Sequence, residues 1–141
     1  MNAQVILFLP SFESGGVERN AVYVANGLLD NGYDINVIYC RHTDEWFSKL
    51  DKKVQKIEVK RRIRVPFMHE RLVDALNMML FFSSALKSIR ADSPKVMLSF
   101  QSNVIAIILA RIYRIPVAVR ISNHYIATSH EKSLLRKIIT C

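Results

Sequence analysis

Five short apolar runs alternate with segments whose apolar residues recur at helical spacing, and few folds accommodate that order. The runs are QVILFLP (residues 4–10), YDINVIYC (33–40), VQKIEVK (54–60), PKVMLSF (94–100) and IPVAVRIS (115–122). Pro10 closes the first. Between the first two, VERNAVYVANGLLDNG places Val17, Ala21, Val24, Ala25 and Leu28 on one helical face, and Asn31 with Gly32 reads as its C-cap. The second run is apolar on both faces, as a parallel strand covered by helices must be. Residues 41–53 read as a loop with a short helical turn, and the third run alternates in the manner of an edge strand. FMHERLVDALNMMLFFSSALKSIR predicts a long helix with Leu72, Ala75, Leu76, Met79, Phe82, Leu86 and Ile89 on its core stripe, and NVIAIILARIYR predicts a buried helix. The expected fold class is α/β, a doubly wound, mostly parallel sheet flanked by helices, Rossmann-like.

A chain of 141 residues suits one domain over residues 1–141. With half its residues hydrophobic and only four glycines and four prolines, it is neither a disordered nor a fibrous sequence. Lys and Arg outnumber Asp and Glu by 20 to 12, so the surface favours phosphates, nucleic acid or anionic lipid. Cys40 and Cys141 have no paired spacing, which argues against a disulfide framework or a zinc site and fits a reducing cytoplasm. The first residues lack a basic leader region, and the longest charge-free stretch, Val96 to Ala110, is too short and too polar to span a bilayer. The expected location is cytoplasmic. The last residues, EKSLLRKIITC, read as an amphipathic helix without a terminal cap, the pattern expected of a truncated chain.

In an open parallel sheet, ligands bind beyond the carboxyl ends of the strands. Four loops therefore hold the candidate residues: Ser14, Gly15, Gly16 and Glu18 after the first strand, Arg41 and His42 after the second, Gln101, Ser102 and Asn103 after the fourth, and Ser122, Asn123, His124 and Tyr125 after the fifth. Hydroxyls and amides dominate, which suits sugars and phosphates. SFESGGVERN leads from a strand through two glycines into a helix, an arrangement that offers backbone N–H groups to an anion and allows positive φ at the glycines. It lacks the G-x-G-x-x-G pattern and the acidic residue of a dinucleotide site, and there is no P-loop lysine.

The opening segment, ILFLPSFESGGVERNAVYVANGLLDNGYDINVIYC, resembles the start of retaining glycosyltransferases of the family-four type, where a glycine-glycine-hydrophobic-Glu-Arg segment follows the first strand. The resemblance extends through KVMLSFQSN and IPVAVRISNHY. It implies the N-terminal, acceptor-side domain of a GT-B fold, with the donor-binding C-terminal domain absent from these residues. The implied activity is transfer from a nucleotide-sugar donor to a saccharide or lipid-linked acceptor in surface polysaccharide, lipopolysaccharide or glycolipid synthesis. Front-face displacement is the implied mechanism: the departing donor phosphate helps to deprotonate the incoming hydroxyl, and no nucleophile is required of this domain. On matching positions, Ser14, Gly15 and Gly16 form the donor-diphosphate loop. Glu18, Arg19, Ser102, Asn103, Arg120, Asn123 and His124 are the acceptor-side candidates, and Glu18 equally suits the positive end of the helix dipole. No cofactor and no metal are expected, and the chain alone is not expected to turn over.

The basic run KKVQKIEVKRRIR, followed by Pro66, Phe67, Met68 and a strongly apolar helix, offers a second surface. Lys60, Arg61, Arg62 and Arg64 are candidates for holding phosphates of an anionic membrane, and a solvated basic edge accounts for them equally well. The positives are not interleaved with aromatics along a nucleic-acid-binding motif, so no nucleic-acid partner is expected. His42, and His130 with Glu131, match no metal-ligand spacing. Two other functions stay open: a nucleotide-cofactor-binding α/β domain in which Arg41 reads a phosphate, and a non-catalytic basic module on a membrane surface.

Overall fold

The structure, a computed structural model, describes residues 2–121. Five parallel strands form one sheet: β1 (Gln4–Phe8), β3 (Asp34–Tyr39), β5 (Gln55–Glu58), β6 (Lys95–Ser99) and β7 (Val117–Val119), in the order β5-β3-β1-β6-β7. Between them run α1 (Gly16–Asp30), α2 (Asp44–Phe47), α3 (Glu70–Leu86) and α4 (Asn103–Ile112). A parallel pair must be joined by a crossover, and each helix supplies one. Strand β1 lies at the centre, with Gln4–Phe8 paired to Asp34–Ile38 on one side and to Lys95–Ser99 on the other.

Side chains alternate across a strand, and the core divides accordingly. Val5, Leu7 and Leu9 point to the face covered by α1 and α2, where they pack with Ala21, Ala25 and Phe47. Ile6 and Phe8 point to the other face, with Met78 and Phe82 of α3 and Leu109 of α4. The fold is a doubly wound, Rossmann-like α/β sheet with helices on both faces, as the alternation of periods predicts.

Pro10 does not end the pairing of the first strand. Its carbonyl accepts from Cys40 N and Arg41 N, and beyond it β2 (Ser11–Phe12) pairs in parallel with β4 (Arg41–His42). Proline has no N–H to give, and the strand lapses over Leu9 and Pro10 before it resumes at Ser11. The helical turn expected in residues 41–53 is α2, and the alternating third run is, among the described residues, an edge strand. Asn31 and Gly32 close α1 as expected; Gly32 has φ +85°, and its N–H bonds Leu29 O at 3.0 Å.

Two helices depart from their predicted faces. In α3, Leu72 and Met79 are exposed, while Val73, Asp74, Asn77, Met78, Phe82 and Ala85 are buried. The apolar stripe misleads because Asp74 and Asn77 face inward to hold neighbouring loops. The helix also begins at Glu70, not Phe67, because residues 65–68 form a turn. In α4 only Ala106, Leu109 and Ala110 are buried, so the helix is half covered where full burial was expected. Among the described residues β7 is a sheet edge, shorter than its predicted run. No helix among the described residues is long and apolar enough to cross a membrane.

Candidate functional site

Strand order reverses at β1: the chain moves outward to β3 and β5, then returns to the other side for β6 and β7. The loops leaving β1 and β6 therefore diverge, and a crevice opens between them at the carboxyl end of the sheet. A cavity of about 440 Å³ occupies it, lined by Ser11, Ser14, Gly15, Gly16, Val17, Glu18, Arg71, Gln101 and Ser102. Of the sequence candidates, Ser14, Gly15, Gly16, Glu18, Gln101 and Ser102 are brought together there.

Two helix N-termini meet this crevice, and neither has a side-chain cap. Gly15 is the N-cap of α1 and Ser102 that of α4. The first intrahelical bond of α1 runs from Arg19 N to Gly15 O at 3.0 Å, so the N–H groups of Gly16, Val17 and Glu18 precede the ladder. Ser102 has φ +52° and ψ +45°, a left-handed conformation unusual for serine, which turns the chain from β6 into α4.

The glycine pair does not use positive φ. Gly15 is extended, at φ −176°, and Gly32 alone among the described glycines is left-handed. Glu18 explains Gly15 instead: a Cβ there would lie 2.7 Å from Glu18 Oε2, whereas nothing within 4 Å crowds one at Gly16. Glu18 is 4% exposed, and its Oε1 accepts from Gln101 Nε2 at 2.6 Å. Gln101 Oε1 in turn accepts from Ser11 N at 3.3 Å, so one amide ties the two walls together. Helix N-terminal amides and the Arg71 guanidinium favour an anion, and the Glu18 carboxylate favours a hydroxyl donor. Such a mixed lining suits a ligand carrying both.

Beneath the site lies a charge cluster that sequence reading missed. Asp74, fully buried on α3, accepts from Ser11 Oγ at 2.6 Å and Arg41 Nε at 3.2 Å. Arg61 Nε is 3.0 Å from its other oxygen, close enough for ion pairing although it lacks hydrogen-bond alignment. Arg41 also pairs with Glu13 and, at 3.0 Å, with Glu70, while Arg71 reaches Glu13 at 3.0 Å. The hydrogen bond from Arg71, with Arg41 close by, holds the Glu13 carboxyl below its ordinary value. Burial tends to lower the Arg41 value, but the Asp74, Glu13 and Glu70 carboxylates together raise it. The cluster fixes Ser11 and Glu13 and so shapes one cavity wall. An aspartate flanked by Val73 and Ala75 in an apolar helix was the available signal.

The cluster also removes Arg41 as a phosphate reader, since three carboxylates already hold it. Cys40 is buried, and that burial first, then the Asp74 charge, pushes its thiol up to about 12, away from the thiolate a nucleophile needs. His42 stacks on Phe47 at 4.1 Å, and no cluster of metal-ligating residues occurs among the described residues.

The remaining candidates scatter. Arg19 is exposed and borders a neighbouring hollow that shares Ser14, Gly15 and Gly16 with the crevice and adds Glu45 and Trp46. Asn103 is engaged on both atoms: its Oδ1 accepts from Ser99 Oγ at 2.8 Å, and its Nδ2 donates to Arg120 O at 3.0 Å. The Arg120 guanidinium lies over Phe100. Asn123, His124, His130 and Glu131 fall outside the described residues. Lys60, Arg62 and Arg64 are exposed, Arg62 lying 4.9 Å from the Phe81 ring, whereas Arg61 faces Asp74. Compared with known proteins, the chain matches no family model, no curated protein and no solved structure.

Proposed function

We propose that this chain is the acceptor-side domain of a retaining glycosyltransferase that moves a sugar from a nucleotide-sugar donor to a saccharide or lipid-linked acceptor, at the cytoplasmic face of a membrane. One observation carries the reading: a crevice at the strand-order reversal lined by two uncapped helix N-termini, Arg71 and the buried Glu18. Uncapped amides at Gly16 and Val17 suit a diphosphate, which they would position and stabilise as charge grows on the leaving group. Glu18 Oε2 suits a sugar hydroxyl. A second α/β domain would supply the rest of the donor site and close over the crevice. The resemblance of SFESGGVERN to family-four glycosyltransferases supports the same reading.

Front-face transfer leaves proton removal to the departing phosphate, so the task of these residues is orientation. Titration of the full chain with uridine or guanosine diphosphate, followed by amide NMR, tests the reading. Shifts at Gly15, Gly16 and Ser102 support it. Stronger shifts with NADP than with either diphosphate would replace it with a nucleotide-cofactor domain.

A further inference from the structure

We propose that the turn Val65-Pro66-Phe67-Met68 is a membrane anchor, with Phe67 as its inserting tip and Lys60 and Arg64 as its contacts to anionic lipid headgroups. Met68 N donates to Val65 O at 3.3 Å, and Phe67 has φ +73°. Proline second and positive φ third is the arrangement of a type II turn, whose third position favours glycine. A phenylalanine there strains the backbone. Its ring gives nothing back to the fold, because Phe67 is 106% exposed. Val65, Met68 and Leu72 are exposed beside it. A strained position filled by a large, wholly solvated aromatic, with three apolar neighbours, has its compensation outside the molecule.

The base of the loop is firmly held. Buried Asn77 accepts from Arg62 N and Ile63 N, both at 2.9 Å, and donates to Ile63 O at 2.8 Å. The tip therefore projects from a fixed support. Beside it a recess of about 610 Å³ is lined by Arg61, Arg64, Val65, Phe67, Met68 and Glu70. Arg61 faces Asp74, and Arg62, though exposed, lies 4.9 Å from the Phe81 ring, so Lys60 and Arg64 are the exposed cations of this run with no ring or carboxylate partner among the described residues. Glu70, the acid of this recess, is paired with Arg41. Exposed apolar groups with an adjoining basic rim fit an anionic bilayer interface. Arg71 follows the turn and lines the crevice, so an anchored turn holds the crevice mouth near the headgroups.

This inference rests on the peripheral placement proposed above and is independent of the group transferred. The test is co-sedimentation of the full chain with vesicles of equal parts phosphatidylglycerol and phosphatidylcholine, and with phosphatidylcholine alone. The wild-type chain is expected to bind the anionic vesicles. Phe67→Gly, which relieves the strained φ, should lower that binding about ten-fold or more without lowering the melting temperature. The double change Lys60→Ser, Arg64→Ser should remove most of the salt-sensitive part. Unchanged binding by Phe67→Gly, or no wild-type binding to anionic vesicles, overturns the proposal. So does a lipid-free dimer that Phe67→Gly dissolves, because the turn would then be a self-association contact. Vesicle binding with no nucleotide response at Gly15 and Gly16 would refute the transferase reading and leave the anchor standing.

Discussion

Gly15 and Gly16 are adjacent and chemically identical, yet their surroundings separate them. At Gly15 an added methyl would meet the buried Glu18 carboxylate at 2.7 Å, so Gly15→Ala should destabilise by about 1–3 kcal/mol, read from denaturant unfolding. At Gly16 the space is open and alanine is a better helix residue, so Gly16→Ala should leave stability unchanged or slightly raised. Its new Cβ would stand at the crevice wall and weaken ligand binding. Asp74 is the residue on which the site wall depends most: Asp74→Ala would leave Arg41 and Arg61 without their buried partner and should cost about 3–5 kcal/mol. Glu13 adds a pH dependence of known sign. Its folded-state value is lowered, so its stabilisation is complete above the ordinary 4.5 and fades as pH falls through the lower folded value. Glu13→Gln should flatten that part of a stability-against-pH curve.

At the scale of elements, helix α3 shows what the sequence makes legible and what it conceals. The alternation of strand and helix periods was enough to anticipate the parallel sheet and its edge strand, because burial on one or both faces leaves a period in the chain itself. The inward face of α3 left no such trace. Its stripe, counted by hydrophobicity, includes Leu72 and Met79, which are exposed, and passes over Asp74 and Asn77, which are buried as polar supports for loops distant in sequence. Long-range hydrogen bonding of this kind has no local period. Leu72→Ser should therefore change stability by less than about 0.5 kcal/mol, whereas Phe82→Ala, removing a ring packed edge-on against Phe8, should cost about 3–5 kcal/mol. The glycine loop's position at the crevice was legible for the same reason that the sheet was, since its place after β1 follows from topology. Ser11 and Arg71 were not, because a β-strand pair and the first turn of another helix carry them there.

For the whole molecule, the order β5-β3-β1-β6-β7 sets where the crevice opens, and the two uncapped helix ends give it exposed N–H groups that would favour an anion. The proposed anchor turn and the crevice adjoin the start of α3, so a bilayer-bound chain would present the crevice to acceptors at the headgroup level. In the proposed transferase the donor half lies on another domain, so the 141-residue chain should show no turnover with radiolabelled nucleotide sugars. Binding at the crevice should survive in weak form. The most direct measurement is an amide NMR titration of the full chain with uridine or guanosine diphosphate, alongside Gly16→Ala. The account predicts shifts centred on Gly15, Gly16, Val17 and Ser102 that Gly16→Ala reduces; a folded chain whose crevice amides stay unmoved at saturating nucleotide would contradict it.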